Sequence, residues 1–308
     1  MVDGNPFPDS PEKRYLRRIH LDYLSQRKQV LGRELAYFGL PSAEMADVKL
    51  WRSVLGNITA VERLPHVAEG MYRTAQQMGV RSRMVLLEGS LLDVCRMLAK
   101  PECDMGATLP ALSLSEQAKA QRARGTGYDV INLDLCGGFL YPKKSGESDN
   151  VEALKLLIAF QARHSMPFLL LITFNLRDTG GDEYDSFISE VLRQIGLAGI
   201  QVSTLERYYF EAAKGQPPQL RRLRFCVPAY LHQRAHEHFA AKSIGSWYYK
   251  TFYHTALFFE TRKGPTTLGM PWPPLDEFRD LLATPMLKVQ SNKEGGITTV
   301  ELDRPPVW

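Results

Sequence analysis

Residues 128–138, Tyr-Asp-Val-Ile-Asn-Leu-Asp-Leu-Cys-Gly-Gly, carry an amide, a carboxylate and a thiol at the end of an apolar run: Asn132, Asp134 and Cys136. Val130, Ile131, Leu133 and Leu135 supply the continuous β-favouring pattern of a strand covered on both faces. Gly137 and Gly138 then allow backbone or ligand to come close. A carboxylate such as Asp134, at the carboxyl end of a buried strand, falls where open α/β sheets bind ligands. The competing reading is a turn or helix-cap residue. A second cluster, His232, His236 and His238 with Cys226 upstream, has metal-ligating side chains at an irregular spacing. A helix would set His232 and His236 on one face and His238 elsewhere, so no metal site is expected. The sequence contains no Walker-type loop, no HExxH and no Gly-x-Ser-x-Gly elbow, which argues against nucleotide hydrolases, zinc proteases and α/β-hydrolases.

The elements that would position these groups alternate. Ser10 and Pro11 start a helix running to about Val30, with Tyr15, Ile19 and Tyr23 on one face and Arg14, Arg17, Arg18, Arg27 and Lys28 around the rest. This basic helix is either a solvated edge or a cap that faces phosphate. A strand over 34–41 follows, then a helix from Ser42 through Leu55 that stops at Gly56, a strand over 58–62, a helix after Pro65 and a strand over 84–87. A helix from Ser90 leads into an irregular stretch, read as an insertion at about 99–127 with its own helix over 114–124. Beyond the strand that holds Asp134 come a Lys- and Gly-rich loop, a helix over 151–164, a strand over 168–174 and a helix after Asp182. Two apolar segments, 223–231 and 251–260, read as an antiparallel pair at the sheet edge, where Pro228 is tolerated. The chain divides into a basic helix (1–32), a main domain (33–262) and a Pro-rich appendage (263–308).

The 308 residues suffice for one large α/β domain with additions, and 44% hydrophobic with 23% charged content is that of a globular protein. No apolar run reaches the length of a membrane span, and the start of the chain lacks a secretory pattern, so a cytoplasmic protein without membrane association is expected. Four cysteines without a CxxC pair read as reduced thiols. A net charge of +4 does not by itself imply nucleic acid, so any contact with RNA or DNA would rest on local basic clusters. The Pro-rich appendage is a candidate surface for a protein partner.

Five strands separated by helices and followed by a hairpin call for a Rossmann-like α/β fold, a seven-stranded, mainly parallel sheet with helices on both faces. From residue 33 to 262 the chain resembles the class I S-adenosylmethionine-dependent methyltransferases. Phe38-Gly39-Leu40-Pro41-Ser42 stands at the family's glycine-rich turn, with Gly39 alone of its glycines. Glu62, with Arg63 beside it, stands at the acid that binds the cofactor ribose, and Glu88-Gly89-Ser90 at the residues that face adenine. Asn132 to Gly137 stands at the Asp/Asn-Pro-Pro-aromatic motif and looks more like the Asp-Pro-Phe-Gly of tRNA guanine methyltransferases, without the proline or the aromatic.

The resemblance implies S-adenosylmethionine as cofactor, with Gly39, Pro41, Ser42, Glu62, Arg63, Glu88, Gly89 and Ser90 around it. It implies Asp134 or Asn132 as the group that accepts hydrogen bonds from an exocyclic amine and aims its lone pair at the methyl. Gly137, Phe139 and Tyr141 fall on the substrate side, with Phe139 or Tyr141 stacking a base. Cys136 stands where pyrimidine C5-methyltransferases carry a nucleophile, a role that needs an exposed, acidified thiol; a small buried cysteine is the alternative. The function implied is a methyltransferase acting on a nucleic-acid or nucleotide amine. The alternative is a non-catalytic methyltransferase-like protein that binds nucleic acid or a protein partner.

Overall fold

The computed structural model describes residues 9–99, 114–135, 137–140, 148–178, 181–197, 218–262, 277, 281 and 284–303. Helix α1 (Pro11–Leu31) begins where Ser10 accepts a hydrogen bond from the Lys13 amide (3.3 Å) and Pro11 occupies the first turn, and it ends at Gly32, whose φ of 64° suits a residue without Cβ. Strand β1 (Leu35–Gly39), helix α2 (Ala46–Trp51), strand β2 (Leu55–Glu62), helix α3 (Pro65–Gln77), strand β3 (Met84–Glu88) and helix α4 (Leu91–Ala99) follow. Helix α5 (Leu114–Arg124) then precedes strand β4 (Val130–Asp134), helix α6 (Asp149–His164), strand β5 (Phe168–Asn175) and helix α7 (Asp182–Leu197). Helix α8 (Pro218–Ala235) and strands β6 (Phe239–Tyr249), β7 (Phe252–Thr261), β8 (Met286–Ser291) and β9 (Ile297–Asp303) complete the described chain. Among the described residues, no helix is long and apolar enough to cross a membrane.

All nine strands form one sheet in the order β3-β2-β1-β4-β5-β7-β6-β8-β9. The pairs from β3 to β5 are parallel, and β7 runs antiparallel to both β5 and β6. The fold is therefore the Rossmann-like, class I methyltransferase fold, with nine strands in place of seven. The two extra strands come from β8, parallel to β6, and β9, antiparallel to β8.

The sheet separates two apolar cores. One holds side chains of α4 to α8 against Ala36, Phe38, Ile131, Leu133 and Ile172. The other holds α1, α2 and α3 against Leu35, Tyr37, Val130, Leu169 and Leu171. Because neighbouring residues of a strand point to opposite faces, Asn132 and Asp134 share the face of Val130, beneath α1. Strand register extends this into a row: Asp134 pairs with Thr173, Thr173 with His254, and His254 with Trp247.

Two segments differ from expectation. Residues 223–231 lie inside helix α8, with Pro228 within it, and the hairpin partner of β7 is β6. Leu223 to Val227 are all buried, and a helix buried on every side shows the same unbroken apolar run as a covered strand. The helix expected from Ser42 through Leu55 is only α2, because Leu55 and Gly56 already belong to β2, where Leu35 pairs with Leu55.

Candidate active site

A cavity of about 610 Å³ opens at the carboxyl ends of β1, β2 and β4, beneath the first half of α1. One end is lined by Pro41, Ser42, Glu62, Arg63, Gly89 and Ser90, all expected from the sequence. Glu62 Oε1 accepts from the Leu64 amide (2.7 Å), and Oε2 has no hydrogen bond from a described residue. Leu64, Val67 and Leu91 supply apolar wall. The Ser90 hydroxyl is already engaged in starting α4: it accepts from the Asp93 amide (3.1 Å) and donates to Asp93 Oδ2 (2.6 Å). Its one proton is therefore used, and toward a ligand the hydroxyl can only accept.

Gly39 does not line the cavity. A Cβ there would collide with the Tyr37 hydroxyl and approach the Asn132 carbonyl oxygen to 2.7 Å. Its glycine thus makes room for Tyr37, whose hydroxyl donates to Asp47 Oδ2 (2.6 Å). Asn132 Nδ2 donates to the same oxygen (2.6 Å). A carboxylate only accepts, so this contact fixes the amide orientation and leaves Asn132 Oδ1 as an acceptor. Burial, then the negative charge of Asp47, raises the Tyr37 phenol well above its ordinary value.

Asp134 reaches the cavity, with its Oδ2 paired to Lys13 Nζ at 2.7 Å. Beside it, Thr173 Oγ1 meets His254 Nδ1 (2.7 Å), and His254 Nε2 meets His20 Nε2 (2.8 Å). Burial lowers His20 to about 3 and His254 well below the ordinary histidine value, so both rings are neutral. The His20 ring sits edge-on to Trp51 (6.4 Å) and Trp247 (5.4 Å). Arg17 lines the same end and pairs with Asp9.

Helix α1 is fastened where it covers the cavity. Glu12 accepts from the Ser291 hydroxyl on β8 (2.6 Å) and lies 3.6 Å from Lys250 in the β6–β7 turn. Its burial favours the neutral acid, but hydrogen bonds from Ser291 and Ser10 outweigh that and hold the carboxyl at about 2.

Two of the remaining expected residues lie away from the cavity. Glu88 is exposed. Phe139 is fully buried, packed on Phe174 (5.4 Å) and Phe187 (5.7 Å), and so is not placed to stack on a base. The turn after β4 folds back into the core, where the Leu140 amide donates to the Tyr184 hydroxyl (3.0 Å). Gly137 lines the cavity, while Cys136 and Tyr141 are outside the described residues.

A family model described as PP_RS20740-like matches residues 11–197, more than half of the chain. The chain belongs to the PP_RS20740-like family. The matched region of this PP_RS20740-like protein carries Lys13, His20, Glu62, Asn132 and Asp134, whereas Tyr249 and His254 come from beyond it. No curated protein matches the chain in sequence. Among solved structures it is similar to cofactor-bound Rv0187 from MTB, with TM-score 0.40 and 12% identity over 85% of this chain and 84% of that one. It is also similar to the N-methyltransferase NodS from Bradyrhizobium japonicum WM9 in complex with S-adenosyl-l-homocysteine (TM-score 0.40, 11% identity, 84% and 93% covered). An O-methyltransferase from Bacillus cereus in complex with SAH is similar at TM-score 0.40 and 10% identity, with 84% and 94% covered.

Sequence reasoning missed Lys13, Arg17, His20, Asp47, Thr173, Tyr249 and His254 as cavity residues. One signal was present in α1. Its buried line is Glu12, Leu16, His20 and Leu24, one position round from the flanking Tyr15, Ile19 and Tyr23. An acid and a histidine on the buried line of a helix mark groups that need partners across the interface.

Proposed function

We propose that this protein binds S-adenosylmethionine in the cavity and transfers its methyl group to an acceptor held at the Asn132 and Asp134 end. The observation that carries the reading is the meeting, in one cavity, of Glu62 at the end of β2 with an amide and a carboxylate at the end of β4. The residues suit the cofactor. Glu62 Oε2 is available to accept from ribose hydroxyls, Leu64, Val67 and Leu91 offer apolar surface to adenine, and about 610 Å³ is within the usual range for small-ligand sites. When bound, the cofactor supplies an electrophilic methyl on a sulfonium.

The chain's own residues orient the acceptor. Asn132 Oδ1, with its amide nitrogen held by Asp47, can accept from an exocyclic amine of a nucleotide or nucleic acid, the acceptor class implied by the fourth-strand residues. Asp134 keeps Oδ1 for the same task while Lys13 holds Oδ2. Calorimetric titration with S-adenosylmethionine and S-adenosylhomocysteine tests the reading, followed by mass spectrometry for a methylated product. Saturable heat with both ligands is expected. Absence of binding at millimolar concentration overturns it and leaves a non-catalytic, methyltransferase-like binding protein.

A further inference from the structure

Methyl transfer to a neutral hydroxyl or amine releases a proton, and that proton needs a destination. The end of the cavity beside Asp134 contains one. We propose that His20, backed by His254 and Thr173, is the base that takes the proton of the acceptor's amine as the methyl is transferred. This rests on the methyltransferase reading above.

The hydrogen bonds define the chain of groups. Both nitrogens of His254 are occupied, Nδ1 by Thr173 Oγ1 at 2.7 Å and Nε2 by His20 Nε2 at 2.8 Å. His20 therefore has one ring nitrogen left, Nδ1, which has no hydrogen-bond partner among the described residues, and its ring lines the cavity. Two Nε2 atoms in contact require one donor and one acceptor. If His254 donates its Nδ1 proton to Thr173, its Nε2 accepts from His20, and His20 Nδ1 is a bare lone pair. Of the two arrangements this is the one that turns a lone pair to the cavity, and it is the one the proposal takes.

The step balances without a redox partner. The acceptor's nitrogen would bond to the methyl carbon as the carbon–sulfur bond breaks with its electron pair going to sulfur. The acceptor's proton goes to His20 Nδ1, and the resulting positive charge is shared with His254 across the Nε2 contact. Net charge in the cavity is unchanged, because the sulfonium loses the charge that the imidazole pair gains. A base facing a sulfonium must start neutral, since two cations in a low-dielectric cavity repel. Burial of both rings supplies that state. The two tryptophans at 6.4 and 5.4 Å hold the ring plane, so little reorganisation is needed.

The test uses the full chain labelled with ¹⁵N-histidine and loaded with S-adenosylhomocysteine, in long-range ¹H–¹⁵N correlation spectra that separate bare from protonated ring nitrogens. Phenol and aniline at millimolar concentration are the probes. The expected result is a bare His20 Nδ1 that moves toward the protonated position when either probe is added. Thr173→Val, which removes the partner of His254, is expected to raise the fraction of His20 protonated on Nδ1, and Thr173→Ser to restore the wild-type state. A His20 that carries its proton on Nδ1 throughout, or a bare Nδ1 that neither probe moves, overturns the proposal. Failure of the wild-type protein to bind S-adenosylhomocysteine overturns the methyltransferase reading itself, and this proposal with it. His20→Phe separates the two: it is expected to keep cofactor affinity within about twofold while phenol binding falls at least about tenfold.

Discussion

At the Glu62 end of the cavity, polar side chains are held by their own stretch of chain: Glu62 bonds two residues away and Ser90 three. At the Asp134 end, apart from Arg17 and Asp9, the partners are distant, from 81 residues apart for Thr173 and His254 to 234 for His20 and His254. The first end is set by local turns at strand ends. The second exists only when α1, α2, β4, β5 and β7 have assembled. Loss of a ligand-facing group such as Glu62 at the first should therefore appear in binding with little effect on folding, and damage at the second should appear in stability first.

The largest effect expected is on the second end, from acid. His20 and His254 are neutral in the folded protein, while the unfolded chain protonates its histidines near pH 6.5. Below that pH the unfolded state binds more protons, so the stability is fully present above pH 6.5 and is lost as pH falls toward about 3 for His20. His20 alone should cost about 2 kcal/mol by pH 5, at a slope of no more than about 1.4 kcal/mol per pH unit, and His254 adds to the loss in the same direction. Glu12, held at about 2, acts in a separate window: its contribution is present above pH 4.5 and is lost only as pH falls through about 2. Urea midpoints at pH 7, 6 and 5 check this, and His20→Phe should roughly halve the slope. An unchanged slope would show that the rings are accessible to protons in the folded state.

Next in size is Asp47→Ala, which leaves the Tyr37 hydroxyl and Asn132 amide without their acceptor in a buried site. The expected loss is about 3 kcal/mol in urea unfolding. A loss below about 1 kcal/mol would mean that the two donors find other partners.

The same contrast explains what could be read from the sequence. Glu62, Arg63, Ser90, Asn132 and Asp134 stand at the ends of strands whose apolar runs are visible, and the cavity collects all of them. His254 and Thr173 lie inside runs that read as plain strand, and only register brings them into one row with Asp134. His20 was hidden by a helix whose buried line is half polar. Helix α8 was misread because uniform burial erases the periodicity that separates helix from strand. Phe139 was placed beside the substrate because nothing local shows that the turn after β4 folds into the core.

At the first end, Glu62→Ala should weaken S-adenosylhomocysteine binding by about 1–3 kcal/mol, the range for losing charge-assisted hydrogen bonds. Stability should change by less than about 0.5 kcal/mol, since the carboxylate bonds only the nearby Leu64 amide. Calorimetry and urea unfolding of the same sample separate the two, and an unchanged affinity would remove Glu62 from the site.

Ser90→Ala gives the smallest effect and the sharpest test of how local that end is. The hydroxyl serves Asp93 twice, as acceptor from its amide and as donor to its carboxylate. Removing it should cost about 1 kcal/mol of stability, the usual value for a lost helix cap. Cofactor affinity should stay within about twofold, because the hydroxyl is already engaged with Asp93. A much larger loss of affinity would mean that the cap geometry itself shapes the cofactor end, which would then be no more local than the network around His20.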